Sequence, residues 1–166
     1  VDDPGRNKKP SDMRRQASTG LHAGDTLAVK RSFSESDVVD FARITKDYNP
    51  VHFDERFFRA KDFKGPICHG LLVGSLLTEI GGQIGWLASR MDFRFRKPVF
   101  FNDTISCKLT LTKVDDAGKA EAEALFTNQD GVVVVQAFLS GIIPGVHERD
   151  ILKQMLAEGD PTNMAG

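Results

Sequence analysis

A chain of 166 residues is long enough to bury the core of one domain and short for two. Its 22 basic residues are balanced by 23 acidic ones, and 40% of all residues are hydrophobic. That balance provides no field for nucleic acid or for an anionic membrane surface, and no apolar run reaches the ~20 residues needed to span a bilayer. The two cysteines, Cys68 and Cys107, lack metal-type spacing, so a reduced, cytoplasmic chain is the simplest reading. Val1 is not a start methionine, which leaves open a processed N-terminus and an organellar import signal already removed.

Residues 1–21 are polar and interrupted by Pro4, Gly5, Pro10 and Gly20, and read as a disordered N-terminal arm in which Arg14 and Arg15 are solvated. A main domain is expected over residues 22–145, followed by a short C-terminal helix and tail over 146–166. Leu27–Phe33 reads as a strand after the Gly24-Asp25 turn. Ser34 with Asp37 three residues on approximates a capping box. Val38, Phe41, Ala42 and Thr45 then share a face, predicting an amphipathic helix over Glu35–Lys46. That helix delivers Asp47-Tyr48-Asn49-Pro50-Val51-His52. Pro50 biases Asn49 away from helical geometry, so the Asp47 and His52 side chains can converge.

Asp54–Ala60 is expected as a short helix burying Phe57 or Phe58. Gly65-Pro66-Ile67-Cys68-His69-Gly70 follows as a loop that ends at a helix start and opens into the apolar segment Leu71–Ile84. Leu71, Leu72, Val73, Leu76, Leu77, Ile80 and Ile84 cover more than one side of it, which places it inside a curved sheet. The remainder reads as strands. In Leu87–Phe95 the apolar Leu87, Met91, Phe93 and Phe95 alternate with Arg90 and Arg94. Ile105–Leu111 and Lys119–Thr127 also alternate, while Val132–Ile143 is apolar almost throughout and is expected to be buried on both faces. Val146–Ala157 reads as a short helix. One strand, a buried helix and then four strands make an α+β pattern.

The chemistry sits in the two polar clusters. A carboxylate and an imidazole five residues apart suit general acid–base work. A glycine at a helix start offers backbone N–H groups to an oxyanion. There is no Gly-rich phosphate loop and no G-x-S-x-G elbow, and no metal ligand set is expected because His52 and His69 have no evident third partner. D-x-N-P-V-H followed by G-P-I-x-H-G-L-L resembles the hydratase signature of the MaoC-like family, which comprises (R)-specific enoyl-CoA hydratases and 3-hydroxyacyl-thioester dehydratases. The resemblance extends from about Leu27 to Pro144. It implies a single hotdog fold, a five-stranded antiparallel sheet wrapped around a long central helix, with an extra helix carrying the active-site turn. It implies a lyase of fatty acid metabolism without a cofactor, acting on an acyl-CoA or acyl-carrier thioester, and a homodimer.

Carried onto this chain, the resemblance makes Asp47 and His52 the pair that holds the water, with Asn49 orienting them and the Gly70 N–H binding the thioester oxygen. His69 is a hydrogen-bonding residue of the substrate pocket that shapes the loop before Gly70. A hydroxyl on the buried helix, part of some family sites, falls at Thr78, a departure from serine, with Ser75 as a weaker candidate. Two alternatives stand beside this reading: a hotdog thioesterase using Glu79 on the central helix, and a non-catalytic acyl-thioester-binding protein. Tyr48, Phe53, Trp86 and Met91 are candidates for narrowing an acyl tunnel. The Arg90, Arg94, Arg96 and Lys97 group serves either CoA phosphates or a solvated sheet face.

Overall fold

The computed structural model describes residues 11–163. Five strands, β1 (Thr26–Ser32), β2 (Leu87–Phe95), β3 (Thr104–Val114), β4 (Lys119–Thr127) and β5 (Val133–Ile142), form one antiparallel sheet in the order β1-β3-β4-β5-β2. Its concave face is lined by Leu27, Ile105, Cys107, Leu109, Leu111, Phe126, Ala137 and Leu139, and by the short Ala120, Ala122 and Ala124. Those alanines leave room for a helix, which fills the space with Leu76, Leu77, Ile80 and Ile84, all essentially without solvent exposure. This is the expected α+β wrap of a sheet around a central helix.

The central helix is not one piece. It begins at Gly70, the expected helix start, and divides at Ser75 into α4 (Gly70–Gly74) and α5 (Leu76–Ile84). The Ser75 hydroxyl donates to the Leu72 carbonyl at 2.6 Å, and its N–H is shared between Leu71 and Leu72. A serine bonding back into the preceding turn, beside a glycine, is a recognised cause of such a break. Before α4 the chain is extended: Ile67 bridges Phe100, and the Cys68 N–H donates to Val99 at 2.8 Å.

Upstream, α2 (Glu35–Thr45) starts on the full capping box of Ser34 and Asp37 and ends at Lys46 in the left-handed conformation. The short α3 (Glu55–Ala60) is capped by Asp54 and buries Phe58 while Phe57 stays exposed.

Four expectations are corrected. The arm expected to be disordered is helical over α1 (Asp12–Thr19), while its residues 1–10 lie outside the described residues. Met13, Ala17 and Leu21 recur at helical spacing and pack into the core, beneath a polar composition that hides them. Arg14 is buried, not solvated. Its guanidinium is ion-paired with Asp160 and donates to Thr162 and to the carbonyls of Gly82 and Gln83 at the end of α5. The C-terminal helix α6 (Val146–Ala157) lies against α1.

In β5 both Val134 and Val135 are buried at the start, but from there on only one face is; Phe138 and Ile142 on the other are exposed, Phe138 under the Arg94 guanidinium. In β2 a bulge between Ala88 and Arg90 shifts the register. Leu87 therefore pairs with the exposed Ile142, whereas Met91, Phe93 and Phe95 pair with the inward Leu139, Ala137 and Val135. Strict alternation from Leu87 onward places the wrong face inside at that end.

Candidate active site

Two loops build the site. The first leaves α2 through the left-handed Lys46. The Asp47 Oδ1 accepts the Asn49 N–H at 3.1 Å, and the Asn49 Oδ1 accepts the Val51 N–H at 3.2 Å. This pair of side-chain turns starts the single 3-10 turn Pro50–His52. His52 is carried inward by that turn and is 6% exposed. Its Nδ1 lies 2.7 Å from the Ile67 carbonyl oxygen. A carbonyl only accepts, so Nδ1 carries the proton and Nε2 presents a lone pair. Asn49 works behind the site: its side chain shapes the turn and does not line the cavity.

The second loop ends at His69, which precedes the first residue of α4. The His69 Nε2–H donates to the Asp47 carbonyl at 2.9 Å, and its ring stacks on His52 with centroids 3.8 Å apart and planes 31° from parallel. Gly70 follows. A Cβ there would come within 2.7 Å of the Phe95 ring, so only glycine keeps both the ring and the backbone where they are. The first N–H groups of a helix have no partner within it, and Gly70 sits at that position.

Asp47, His52, His69 and Gly70 line one cavity of about 670 Å³. Phe41, Phe63, Leu71, Val73, Phe95 and Val135 form its apolar walls, and Arg96 and Lys97 its cationic rim. Burial pushes the His52 imidazole below its usual pKa of 6.5. The Ile67 carbonyl and the Asp47 carboxylate pull upward and His69 downward, without reversing the shift. His52 is thus neutral at neutral pH, with Nε2 able to accept a proton. Cys68 also lines the cavity, but burial, with Asp103 and Asp37 nearby, pushes its thiol up to about 12. It is not a nucleophile.

Ligand-capable atoms of Asp47, His52 and His69 lie within 4.8 Å of one another. The third group that spacing along the chain does not reveal is therefore Asp47. The stack fits a metal poorly all the same. Imidazole lone pairs lie in the ring planes, and planes 31° apart send them nearly side by side instead of toward one point. The arrangement suits a water or hydroxyl held between an acid–base pair.

A family model described as the MaoC-like domain matches residues 16–135, most of the chain. The chain belongs to the MaoC-like family. It is 30% identical over 149 residues to a mitochondrial 3-hydroxyacyl-[acyl-carrier-protein] dehydratase of Arabidopsis thaliana, covering 86% of this chain and 87% of that one. It is 27% identical over 124 residues to an (R)-specific enoyl-CoA hydratase of Aeromonas caviae, covering 72% of this chain and 92% of the relative. Among solved structures, an (R)-hydratase from A. caviae involved in PHA biosynthesis superimposes with a TM-score of 0.71 at 27% identity, over 75% of this chain and 98% of that one. The five-stranded sheet around its helix is the hotdog fold.

Not every residue singled out from the MaoC-like signature meets in the cavity. Thr78 faces a second, smaller cavity of about 190 Å³ together with Trp86 and Met91, and its hydroxyl donates to the Ser75 carbonyl at 2.7 Å. Ser75 is likewise turned back on its own helix. Glu79, the carboxylate required by the thioesterase alternative, is held by Arg31 of β1 at 2.6 Å and lines neither cavity. Tyr48 and Phe53 are exposed beside the first loop, their rings 6.1 Å apart.

The basic group divides. Arg90 and Arg94 lie on the outer sheet face near Asp92, at 3.8 and 4.0 Å, while Arg96 and Lys97 reach the cavity. Phe95 walls the site against Gly70. Only the pairing of β2 with β5 brings it there, and a period-two pattern carries no signal of that partner.

Proposed function

We propose that this chain catalyses the reversible addition of water to a trans-2-enoyl thioester of CoA or an acyl-carrier protein, giving the (R)-3-hydroxyacyl thioester. One observation carries the reading. A carboxylate and a neutral imidazole with its Nε2 lone pair free border the same cavity as a helix-start glycine. Water held by Asp47 and His52 gives a proton to that pair as its oxygen bonds to the β-carbon. The electron pair of the double bond moves toward the thioester carbonyl, whose growing negative charge the Gly70 N–H stabilises. The pair then returns a proton to the α-carbon, so the enzyme ends as it began. Dehydration is the same path reversed, and no cofactor enters it. The relatives named as hydratases and dehydratases support this reaction class.

We place this chemistry in a homodimer. The outer edge of β2 has no strand partner among the described residues and carries exposed Leu87, Met91 and Phe95. No helix among the described residues is long and apolar enough to cross a membrane.

Incubation with a trans-2-enoyl-CoA tests the reaction. Loss of the conjugated-thioester absorbance without release of thiol is the expected result. Thiol release would turn the reading to hydrolysis, and no change in either signal would leave a binding role.

A further inference from the structure

The two histidines do more than border the cavity. Each belongs to one site loop and bonds the backbone of the other. His52, on the first loop, donates from Nδ1 to the Ile67 carbonyl on the second. His69, on the second, donates from Nε2 to the Asp47 carbonyl on the first. Both rings are more than nine-tenths buried and stack on each other, and Phe41 packs on His69 with centroids 5.0 Å apart. We infer that the pair is a reciprocal clamp, in which His69 is a positioning residue that holds the base Asp47 in register with the oxyanion donor Gly70.

Three observations support that role over simple packing. The other hydrogen bonds of Asp47 are local, to Thr45 and Asn49, so the His69 bond ties its backbone to the rest of the fold. His69 immediately precedes Gly70, so one side chain links the base to the donor across the substrate position. Finally, the His69 Nδ1 is buried without a hydrogen-bond partner among the described residues. A ring kept for packing alone would avoid that unpaired atom, whose burial carries a desolvation penalty. The imidazole is explained by its Nε2 donor.

The clamp requires opposite tautomers, Nδ1–H on His52 and Nε2–H on His69. It rests on the hydration reading for its catalytic consequence but not for this tautomer pattern, so the two are tested separately. Long-range proton–nitrogen NMR of the intact protein is expected to show both tautomers; a His69 proton on Nδ1 overturns the clamp whether or not the protein hydrates enoyl-CoA.

Kinetics of His69→Gln, His69→Asn and His69→Leu with a trans-2-enoyl-CoA then read the positioning. The glutamine amide nitrogen falls where Nε2 does and keeps the donor, whereas asparagine reaches only the Nδ1 position. His69→Asn and His69→Leu are expected to lower kcat by about 10²-fold with little change in KM, the usual cost of a misplaced catalytic group, and His69→Gln to recover about tenfold of that. A glutamine variant no better than asparagine, or wild-type kcat in all three, overturns the role.

Discussion

Asp47 is exposed and His52 buried, yet the two are linked: the carboxylate charge raises the imidazole pKa that burial lowers. Removing either, as Asp47→Asn or His52→Ala, is expected to lower kcat by about 10²–10⁴, the range for a positioned acid or base. The double variant should fall little below the worse single one, because groups that share one water are not additive. Steady-state hydration rates check both; single variants that keep more than half the wild-type rate would remove the pair from the mechanism. The pH profile adds a sign. In the proposed mechanism His52 acts neutral, and burial lowers its pKa from 6.5, so the acid limb of kcat/KM is expected below that pH. In Asp47→Asn the raising charge is gone, and the limb of the residual activity should move lower still. For stability, the neutral-His52 contribution is complete above pH 6.5 and is lost as pH falls from there through the lowered folded value. Asp47, His52, His69 and Gly70 were legible as neighbours because two short polar clusters with fixed turn chemistry specify them locally. Arg96, Lys97 and Phe95 were not, because they arrive from the end of β2 through pairing with β5.

At the scale of elements, sequence patterns read well where one period runs unbroken and poorly where a polar side chain is given a buried partner. β4 and α6 appear with the expected limits, Lys119–Thr127 and Val146–Ala157. By contrast α1 hid behind arginines, since nothing local shows that Arg14 meets Asp160, 146 residues away. That contact caps the last carbonyls of α5 with a guanidinium, where helix ends favour positive charge. Arg14→Met leaves the Asp160 carboxylate buried without its cation. It is expected to cost about 3 kcal/mol, typical for breaking a buried pair, and to lower Tm by roughly 2–4 °C for each kcal/mol. Arg14→Met with Asp160→Asn should recover part of the loss, because the stranded charge is removed too. Thermal denaturation of the three variants decides it; an unchanged Tm in Arg14→Met would return α1 to the status of a dispensable arm. For the same reason, removal of residues 1–20 is expected to destabilise the fold, taking the buried Ala17 with it.

For the whole molecule, the sheet has two edges without a strand partner among the described residues, β1 and β2, and they differ in kind. β1 carries Lys30, Arg31 and Ser32 toward its end, the charged and polar residues that keep an edge single. β2 has Leu87 at 75% exposure, with Met91 and Phe95 also uncovered and the exposed Ile142 beside Leu87 on β5. Scattered apolar residues need no explanation, but a run of them along an unpaired edge does. Pairing β2 with its counterpart in a second copy about a two-fold axis satisfies the open backbone groups and covers these side chains together. Phe95 belongs to both this edge and the wall of the cavity, where it packs on Gly70, so assembly would stiffen the site. Sedimentation at micromolar concentration is expected to give twice 18.3 kDa. Leu87→Lys is a surface change in the single chain and should leave its fold intact, while placing a solvated charge on the edge should drive the equilibrium toward the monomer. A wild-type chain that sediments only at 18.3 kDa would overturn the dimer, and a Leu87→Lys variant that stays fully dimeric would move the interface away from this end of β2.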